Sequence, residues 1–334
     1  MQLTGGIIAR RATTAAASTA LAMSASPTTM RMTNVAANCT VPQAIPSYQP
    51  RISNLSSKIT TARVLTPTRG SGNYGESGPS AFYTIDELPA PLAELANNSP
   101  KYTNLKRTDI DLGPDRLAFY IDDVLSHEEA DALASCAESI LEMNGHSRIA
   151  PGINTPSGMR INEAAHWYPS RSSVDPFLGG LMSRIKHLVP HTLKDGYGRT
   201  IHLHPKLSKK IAQFKYNDGD RFNRHVDGLF PGQGINAAGE GIEEWPGVVS
   251  GMSILLYLND GPHDGLVGGE TRLWSAMGDR YVDIEPTKGR ALFFRRGSPD
   301  AVLHAGLPIV GDVPKYMALI NLAYEISEGT ESMF

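Results

Sequence analysis

The second half of the chain constrains the fold most, because from Ile211 onward short apolar runs alternate with glycine, asparagine, aspartate and proline. The runs have the length and residue types of β-strands, and the residues between them are those that form tight turns. We predict eight strands, at residues 211–216, 222–226, 252–258, 271–274, 281–284, 291–294, 301–303 and 315–324. Strands of this number and length predict an all-β sandwich or jelly roll.

Helices are predicted before this strand-rich region. Folded structure is expected to begin near Leu117, where an apolar run precedes Ser126 and Glu129, which are spaced as a capping box that opens a helix. A second helix is expected over residues 175–188, ended by Pro190. The apolar positions that repeat at helical spacing are Leu133, Ala137, Ile140 and Leu141 in the first helix, and Leu178, Leu181, Ile185 and Leu188 in the second. The predicted fold class is therefore α+β, mainly β, with helices supporting one side.

The first 75 residues differ from the rest in charge, because they contain seven basic residues and no acidic one before Glu76. A basic, acid-free segment rich in Ala, Ser and Thr is typical of an organellar transit peptide followed by a flexible spacer. We expect a mitochondrial destination in preference to a plastid. A secretory signal and a disordered cytosolic tail are the alternatives. The predicted organisation is residues 1–75 as targeting peptide and spacer, 76–206 as N-terminal support region, 207–326 as core, and 327–334 as tail.

The remainder of the chain carries a net charge of −10, from 24 basic and 34 acidic residues. This acidic balance argues against nucleic acid as a partner, since phosphate binding requires a basic face. Only two cysteines occur, Cys39 and Cys136, too few for a disulfide framework or a structural zinc knuckle. No apolar run approaches the ~20 residues that cross a bilayer. We therefore expect no membrane span.

Three side chains have the chemistry of a metal site. His225 and Asp227 lie two apart on a predicted strand, so both project to the same face. His304 lies in an apolar setting between two predicted strands, where a surface role is disfavoured. Two histidines and one carboxylate form the facial triad of non-heme iron(II) oxygenases, which leaves positions open for a 2-oxo acid and for O₂. His202 and His204 also form an H-x-H pair, but no glutamate follows at a useful spacing, so surface or supporting roles are favoured.

Further blocks surround these residues in a fixed order. The first block is Phe119-Tyr120-Ile121-Asp122-Asp123-Val124-Leu125-Ser126, followed by Glu128-Glu129. In the second block, Tyr216, Gly219 and Phe222 precede His225 by nine, six and three residues. The later blocks are Leu256-Tyr257-Leu258-Asn259, Gly268-Gly269-Glu270-Thr271, Gly289-Arg290-Ala291-Leu292-Phe293-Phe294, His304-Ala305-Gly306 and Lys315-Tyr316. Together they resemble the prolyl 4-hydroxylase-like branch of the iron(II)- and 2-oxoglutarate-dependent dioxygenases, over roughly 200 residues that end at Tyr324.

The resemblance implies a double-stranded β-helix core that binds iron(II) through His225, Asp227 and His304. It also implies 2-oxoglutarate as cosubstrate, O₂, and ascorbate as reductant. By position, Tyr216 and Thr271 would donate hydroxyl hydrogen bonds to the cosubstrate, and Lys315 would neutralise its distal carboxylate. Lys315 follows His304 by eleven positions, one more than is usual in the family. It is the only Lys or Arg after His304, and a solvated surface lysine is the alternative interpretation.

The predicted activity is therefore hydroxylation of a C–H bond coupled to decarboxylation of 2-oxoglutarate to succinate. Peptidyl proline is the preferred substrate, and a small molecule is the alternative. A non-catalytic binding module on the same fold is a third hypothesis, which an intact set of six site residues disfavours. Arg295 and Arg296 end a predicted strand, where contact with substrate and exposure to solvent are both open.

Overall fold

A computed structural model describes residues 62–65, 82–148, 158–170, 175–239, 241–297 and 299–326. Residues 1–61 and 66–75 of the predicted targeting peptide and spacer lie outside the described residues, as do 76–81 of the predicted support region and the predicted tail, 327–334. The described helices include none that is long and apolar enough to span a membrane.

The described strands fall into two sheets. They are β1 (Ala62–Leu65), β2 (Phe82–Ile85), β3 (Arg107–Asp109), β4 (Ala118–Ile121), β5 (Arg160–Ile161), β6 (Glu163–Pro169), β7 (Thr192–Lys194), β8 (Thr200–Leu203), β9 (Ile211–Tyr216), β10 (Arg221–His225), β11 (Pro231–Ile235), β12 (Ile242–Tyr257), β13 (Thr271–Trp274), β14 (Tyr281–Ile284), β15 (Ala291–Arg295), β16 (His304–Gly306) and β17 (Lys315–Ile326). The larger sheet runs β1-β2-β6-β9-β17-β12-β15-β4-β3, with β11 paired to β12 and β8 joining β7 to β17. The smaller sheet runs β14-β13-β16-β10-β5. The pairs are antiparallel except β2 with β6.

The larger sheet separates two apolar cores. On β9, Ile211 packs into the core shared with the helices, whereas Phe214 and Tyr216 pack into a second core that also contains Leu273 of the smaller sheet. This split follows from the alternation of side chains along a strand. Two largely antiparallel sheets facing each other across a shared core, with helices behind the larger one, form the predicted jelly roll and confirm the mainly β fold class.

The helices are α1 (Ala90–Ala93), α2 (Leu95–Asn98), α3 (His127–Met143), α4 (Gly180–Ile185) and α5 (Gly261–Asp264). The predicted capping box opens α3, since Ser126 Oγ accepts from Glu129 N at 3.1 Å and Glu129 Oε2 accepts from Ser126 N at 2.8 Å. Glu129 also forms a buried two-pronged ion pair with Arg184 of α4, with N···O distances of 2.6 and 2.7 Å. The first helix prediction is therefore confirmed, and α3 is tied to α4.

The expectation that folded structure begins near Leu117 is wrong. Leu92 and Leu95 are fully buried in the helix-side core, and β2 pairs with β6 inside the large sheet. The strand β1 also lies inside the predicted spacer and pairs with β2 from Ala62↔Ile85 to Leu65↔Phe82. These early elements are too short to produce a periodic pattern that sequence analysis detects.

Three further predictions need correction. The second helix has a π-helical first turn, Asp175–Gly179, and its α-helical part ends at Ile185 instead of 188. Residues 301–303 are not a strand; the strand is His304–Gly306, where the chain first pairs with β13 and β10. The segment between Gly228 and Trp245, in which no strand is predicted, contains β11 and the start of β12, paired as a hairpin.

Candidate metal centre

His225, Asp227 and His304 meet at the end of two paired strands of the smaller sheet. His225 ends β10 and His304 begins β16, and the register places the two residues opposite each other. The Nε2 atoms of His225 and His304 lie 3.7 and 3.8 Å from Asp227 Oδ1, and one ligand atom from each residue lies within 4.8 Å of the others. Within the described ranges this is the only cluster of three metal-capable side chains.

Both imidazoles are held in the tautomer that a metal ligand requires. Nδ1–H of His225 donates to the Asn223 carbonyl at 2.8 Å, and Nδ1–H of His304 donates to the Val302 carbonyl at 2.9 Å. With Nδ1 protonated, each Nε2 carries a lone pair directed at the shared space. Burial, and for His225 also the neighbouring His304, lowers the pKa of His225 to about 4. Burial likewise lowers the pKa of His304, so both rings are neutral at neutral pH.

Asp227 is held ionised by neighbours that sequence analysis did not identify. Its Oδ2 accepts from Ser253 Oγ at 2.5 Å and lies 3.4 Å from the Arg296 guanidinium. Arg296 is 2% exposed and also donates to Ser253 Oγ and Asn321 Oδ1, at 2.9 and 2.7 Å. Burial opposes ionisation of Asp227, but Arg296, the two imidazoles and the Ser253 hydroxyl lower its pKa well below the usual range. The sequence showed Arg296 only as a strand end.

The three side chains form a donor set that fits iron(II). Two neutral imidazole nitrogens and one carboxylate oxygen are the ligands of the facial triad, and they leave the opposite face of the ion open. Aromatic rings fix the orientation of both histidines. Phe222 stacks on His225 with ring centroids 3.6 Å apart, and Phe294 lies 4.3 Å from His304.

All six predicted site residues line one cavity between the two sheets. Tyr216, Thr271 and Lys315 lie in it together with the three histidine and aspartate side chains. The rest of the wall is apolar apart from backbone, and consists of Phe214, Phe222, Leu255, Gly306, Leu307, Met317 and Leu319. A cavity of this kind excludes water and strengthens each electrostatic contact inside it.

Lys315 is a buried cation in this cavity. Its side chain is 2% exposed, and the ammonium donates to the Gly269 carbonyl at 2.6 Å. No carboxylate of the described residues forms an ion pair with it; the neighbouring groups are the rings of Tyr216 and Tyr257, at 5.8 and 5.1 Å from Nζ. Burial lowers the pKa of Lys315 to about 7, only partly offset by Glu270. An ammonium buried without a carboxylate is prepared for an anionic ligand.

Comparison with known proteins identifies the domain that carries this site. Residues 211–323 match the family model of the 2OG-Fe(II) oxygenase superfamily. This segment is a 2OG-Fe(II) oxygenase domain. The match contains the three candidate metal ligands, together with Tyr216, Thr271 and Lys315. It confirms the superfamily and the enzyme class that the sequence predicted.

Similar solved structures include two prolyl hydroxylases. The viral collagen prolyl hydroxylase of Paramecium Bursaria Chlorella virus-1, in its 2OG complex, is 20% identical, with 63% of this chain and 96% of that chain covered and a TM-score of 0.38. A prolyl-4-hydroxylase from Pseudomonas putida is 17% identical, with 70% and 99% covered and a TM-score of 0.41. A non-heme alpha ketoglutarate dependent carbocyclase from nogalamycin biosynthesis is 13% identical, with 67% and 85% covered and a TM-score of 0.39. No curated protein sequence matches the chain.

The extra residue before Lys315 is accommodated in the loop of the oxygenase domain that follows β16. Ile309 N donates to the Asp220 carbonyl, and the Ile309 carbonyl accepts from Gly219 N at 2.9 Å. On the other side of the loop, the Pro308 carbonyl accepts from Gly269 N at 3.0 Å. The loop is thus bonded to two neighbouring turns before β17 begins at Lys315, opposite Tyr216. Lys315 therefore enters the cavity despite the eleven-residue spacing.

Two further residues of the oxygenase domain contact the segments that carry Lys315 and Thr271. Asn259 holds the backbone on both sides of Lys315, because its Nδ2 donates to the Pro314 carbonyl at 2.7 Å and its Oδ1 accepts from Tyr316 N at 2.9 Å. Tyr257 OH donates to Thr271 Oγ1 at 2.7 Å, which leaves the Thr271 hydroxyl proton free to be donated elsewhere. Both residues belong to the Leu256–Asn259 block, which contributed to the family resemblance. The sequence did not show that Asn259 holds the backbone around Lys315 or that Tyr257 contacts Thr271.

The remaining candidates lie away from the three ligands. Arg295 is buried and donates to the backbone carbonyls of Gly251 and Lys194, so it is not a solvated strand end, and it does not line the cavity of the three ligands. His202 is exposed on β8, and His204 interacts with the backbone of Lys206. These positions agree with surface or supporting roles for the two histidines.

Proposed function

We propose that this protein hydroxylates a C–H bond of its substrate, using iron(II), O₂ and 2-oxoglutarate. The observation that carries the proposal is the buried ammonium of Lys315, which has no carboxylate partner among the described residues and lines the same cavity as His225, Asp227 and His304. A metal site alone would suit many reactions. A metal site that shares its cavity with a cation lacking a carboxylate partner suits a ligand that chelates the metal at one end and is anionic at the other.

Each residue has a defined task in this proposal. His225 and His304 hold neutral Nε2 donors toward the metal, and Asp227 supplies the negative charge that Arg296 and Ser253 keep ionised. Lys315 neutralises the distal carboxylate of 2-oxoglutarate, while Tyr216 and Thr271 orient it with their hydroxyls. When bound, iron(II) and 2-oxoglutarate supply the oxidative decarboxylation that yields succinate, CO₂ and a hydroxylated substrate. The apolar wall keeps water from the reacting atoms.

The substrate proposed first is a peptidyl proline, on the strength of the sequence resemblance to prolyl 4-hydroxylases. Hydroxylation of a small molecule on the same fold is the second candidate, because the residues that line the cavity suit a small molecule as well as a peptide side chain. Ascorbate is proposed as the reductant, also on the resemblance.

The test is turnover of the full chain with iron(II), O₂ and 2-oxoglutarate, against a panel of proline-containing peptides and small metabolites. We expect succinate to form, and one substrate to gain the mass of a single oxygen atom in equal amount. A hydroxylated metabolite with unmodified peptides would favour the second candidate. The absence of succinate with every member of the panel, and also without substrate, would overturn the proposal.

A further inference from the structure

Arg160 places a guanidinium beside the metal site that the proposed reaction does not use. It lies on β5, opposite Phe222 of β10. The guanidinium carbon is 5.5 Å from the centroid of the Phe222 ring and 5.4 Å from that of Phe214 on the facing sheet. Both rings line the cavity, and Phe222 itself stacks on His225. Arg160 thus lies between the two sheets, with one aromatic ring between it and a metal ligand.

The guanidinium has no acidic partner among the described residues. Three other arginines near the two sheets have acidic partners: Arg148 pairs with Asp220, Arg184 with Glu129, and Arg296 with Asp227. For the Arg160 side chain the structure gives the two aromatic contacts and no hydrogen bond to a described residue. Its side chain is partly buried, so the charge has lost part of its hydration without gaining a counter-ion. Contacts with aromatic faces offset only part of such a cost.

The cosubstrate does not account for this charge. The proposed binding of 2-oxoglutarate uses one of its carboxylates at the metal and the other at Lys315. The Arg160 guanidinium therefore remains as a surplus positive charge beside the place where a substrate must approach. A guanidinium is suited to a carboxylate, because its donors match the two oxygens of that group in one plane.

We propose that Arg160 is a specificity-determining residue that binds a carboxylate of the substrate, adjacent to the carbon that is hydroxylated. The inference rests on the proposed function and narrows its substrate to an anion. The carboxylate has two sources that present the same chemistry: an acidic residue beside the reacting residue of a peptide, or the free carboxylate of a small molecule. The surrounding phenylalanine rings, by excluding water, would make this contact selective for charge.

The experiment compares matched probes in the full chain loaded with iron(II) and 2-oxoglutarate. One set is a proline-containing peptide with Glu, Gln or Lys beside the proline; the other is N-acetylproline against N-acetylprolinamide. The readout is the probe-stimulated formation of succinate, expressed as kcat/KM. Since hydrogen bonds to charged groups contribute about 1.5–3 kcal/mol, we expect the acidic member of a set to be preferred by roughly 10- to 150-fold.

Substitutions then assign the preference to Arg160. Arg160→Met should bring the acidic-to-neutral ratio close to one, Arg160→Lys should retain part of it, and Arg160→Glu should shift the preference toward the Lys peptide. Arg224→Met is the matched control, because Arg224 is exposed, on the neighbouring strand, and packs on Trp274 with its guanidinium carbon 4.8 Å from the ring. This control should leave the acidic preference unchanged.

The outcomes separate this inference from the proposed function. Preference for the peptide acid or for the free acid supports the inference and identifies the source of the carboxylate. Equal response to acidic and neutral probes in the wild type, or no response to any acidic probe, overturns it. A raised KM for 2-oxoglutarate in Arg160→Met with an unchanged acidic preference also overturns it, since it would place Arg160 on the cosubstrate. Failure of the proposed function would instead appear as no succinate from the wild type, with or without probes.

Discussion

Charge is unevenly distributed around the cavity. Its lining contains one carboxylate, Asp227, whereas the cations Arg160, Arg296 and Lys315 lie in or beside it. Arg296 forms an ion pair with Asp227. Iron(II) would add further positive charge when bound. The site as a whole therefore favours anionic ligands.

The first residue-level prediction concerns Lys315. Lys315→Ala should raise the Michaelis constant for 2-oxoglutarate by roughly 10- to 150-fold, because a charge-assisted contact of about 1.5–3 kcal/mol is lost. Lys315→Arg should be intermediate, since the charge survives but the planar group needs more room. Iron(II) affinity, measured alongside, should change little in either variant. An unchanged Michaelis constant in Lys315→Ala would place the anchor elsewhere.

Lys315 also predicts how cosubstrate binding depends on pH. Burial lowers its pKa to about 7 in the free protein, and a bound carboxylate favours the protonated amine, so the bound-state pKa must be higher. Below pH 7 the affinity should be constant; above it, the dissociation constant should rise by up to roughly tenfold per pH unit, with proton uptake on binding. The Lys315→Arg protein has the same metal ligands, but its guanidinium should remain charged over this pH range. The increase in the dissociation constant above pH 7 should therefore disappear in this variant. A rise of equal size in that variant would assign it to another group.

A second residue-level prediction concerns the support of Asp227. Ser253→Ala removes the hydroxyl between Asp227 and Arg296, and we expect iron(II) affinity to fall by about 10- to 100-fold, as for other groups that orient a metal ligand. Ser250→Ala is the control: this buried serine on the same strand accepts from Phe230 N instead. Titration with iron(II) under anaerobic conditions measures both. Equal losses in the two variants would indicate general destabilisation of β12.

At the level of elements, Gly269 links the turn before β13 to Lys315, whose ammonium donates to the Gly269 carbonyl. A Cβ at Gly269 would lie 2.3 Å from Ile309 Cδ1 and 3.1 Å from Lys315 Cδ, whereas one at Gly219 would meet nothing within 4 Å. Both have positive φ, +75° and +73°. Gly219→Ala should therefore cost only the backbone strain, about 1–2 kcal/mol. Gly269→Ala should add overpacking of about 1–3 kcal/mol and displace the ammonium.

Urea unfolding and the Michaelis constant for 2-oxoglutarate measure the two effects of these alanine substitutions. We expect Gly269→Ala to lower the free energy of unfolding more than Gly219→Ala and to raise the Michaelis constant. The opposite order in both quantities would show that the turn does not position Lys315.

Elements differed in how far the sequence revealed them. The strands β13 and β14 agree with prediction at both ends, because turn residues flank each run. The strand β6 was missed because all seven of its residues are buried, so no alternation marks it. The strand β16 was placed three residues early, because the apolar run 301–303 is largely buried without regular secondary structure and strand pairing begins only at His304.

In the candidate site, too, the sequence predicted the residues that lie in local motifs and missed those that only strand pairing brings together. The six residues that line the cavity were predicted because each falls in a recognisable block at a recognisable spacing. The residues that support Asp227 are Ser253 on β12, Asn321 on β17 and Arg296 directly after β15, and no local pattern specifies the register of these three strands. Arg160 was missed for the same reason, since its proximity to His225 depends on the pairing of β5 with β10.

At the level of the whole molecule, β1 lies inside residues 1–75, the predicted targeting peptide and spacer, and pairs with β2 of the large sheet. A chain beginning at residue 62 keeps β1, and we expect it to unfold at the same urea midpoint as the full chain. A chain beginning at residue 76 exposes the edge of β2 and should lose on the order of 1 kcal/mol, the net of backbone hydrogen bonds and chain entropy. Equal midpoints for the two truncated chains would show that β1 adds no stability.

We propose that His225, Asp227 and His304 hold a single iron(II), at a site formed by the pairing of β10 with β16 and by the contact of Asp227 with the buried Arg296. The most direct measurement is anaerobic titration of the full chain with iron(II), in the wild type and in Asp227→Asn and His304→Ala. We predict one tightly bound iron(II) per chain in the wild type, and at least a tenfold loss of affinity in each variant, because each leaves an incomplete facial set. Wild-type affinity and stoichiometry in both variants would contradict the account.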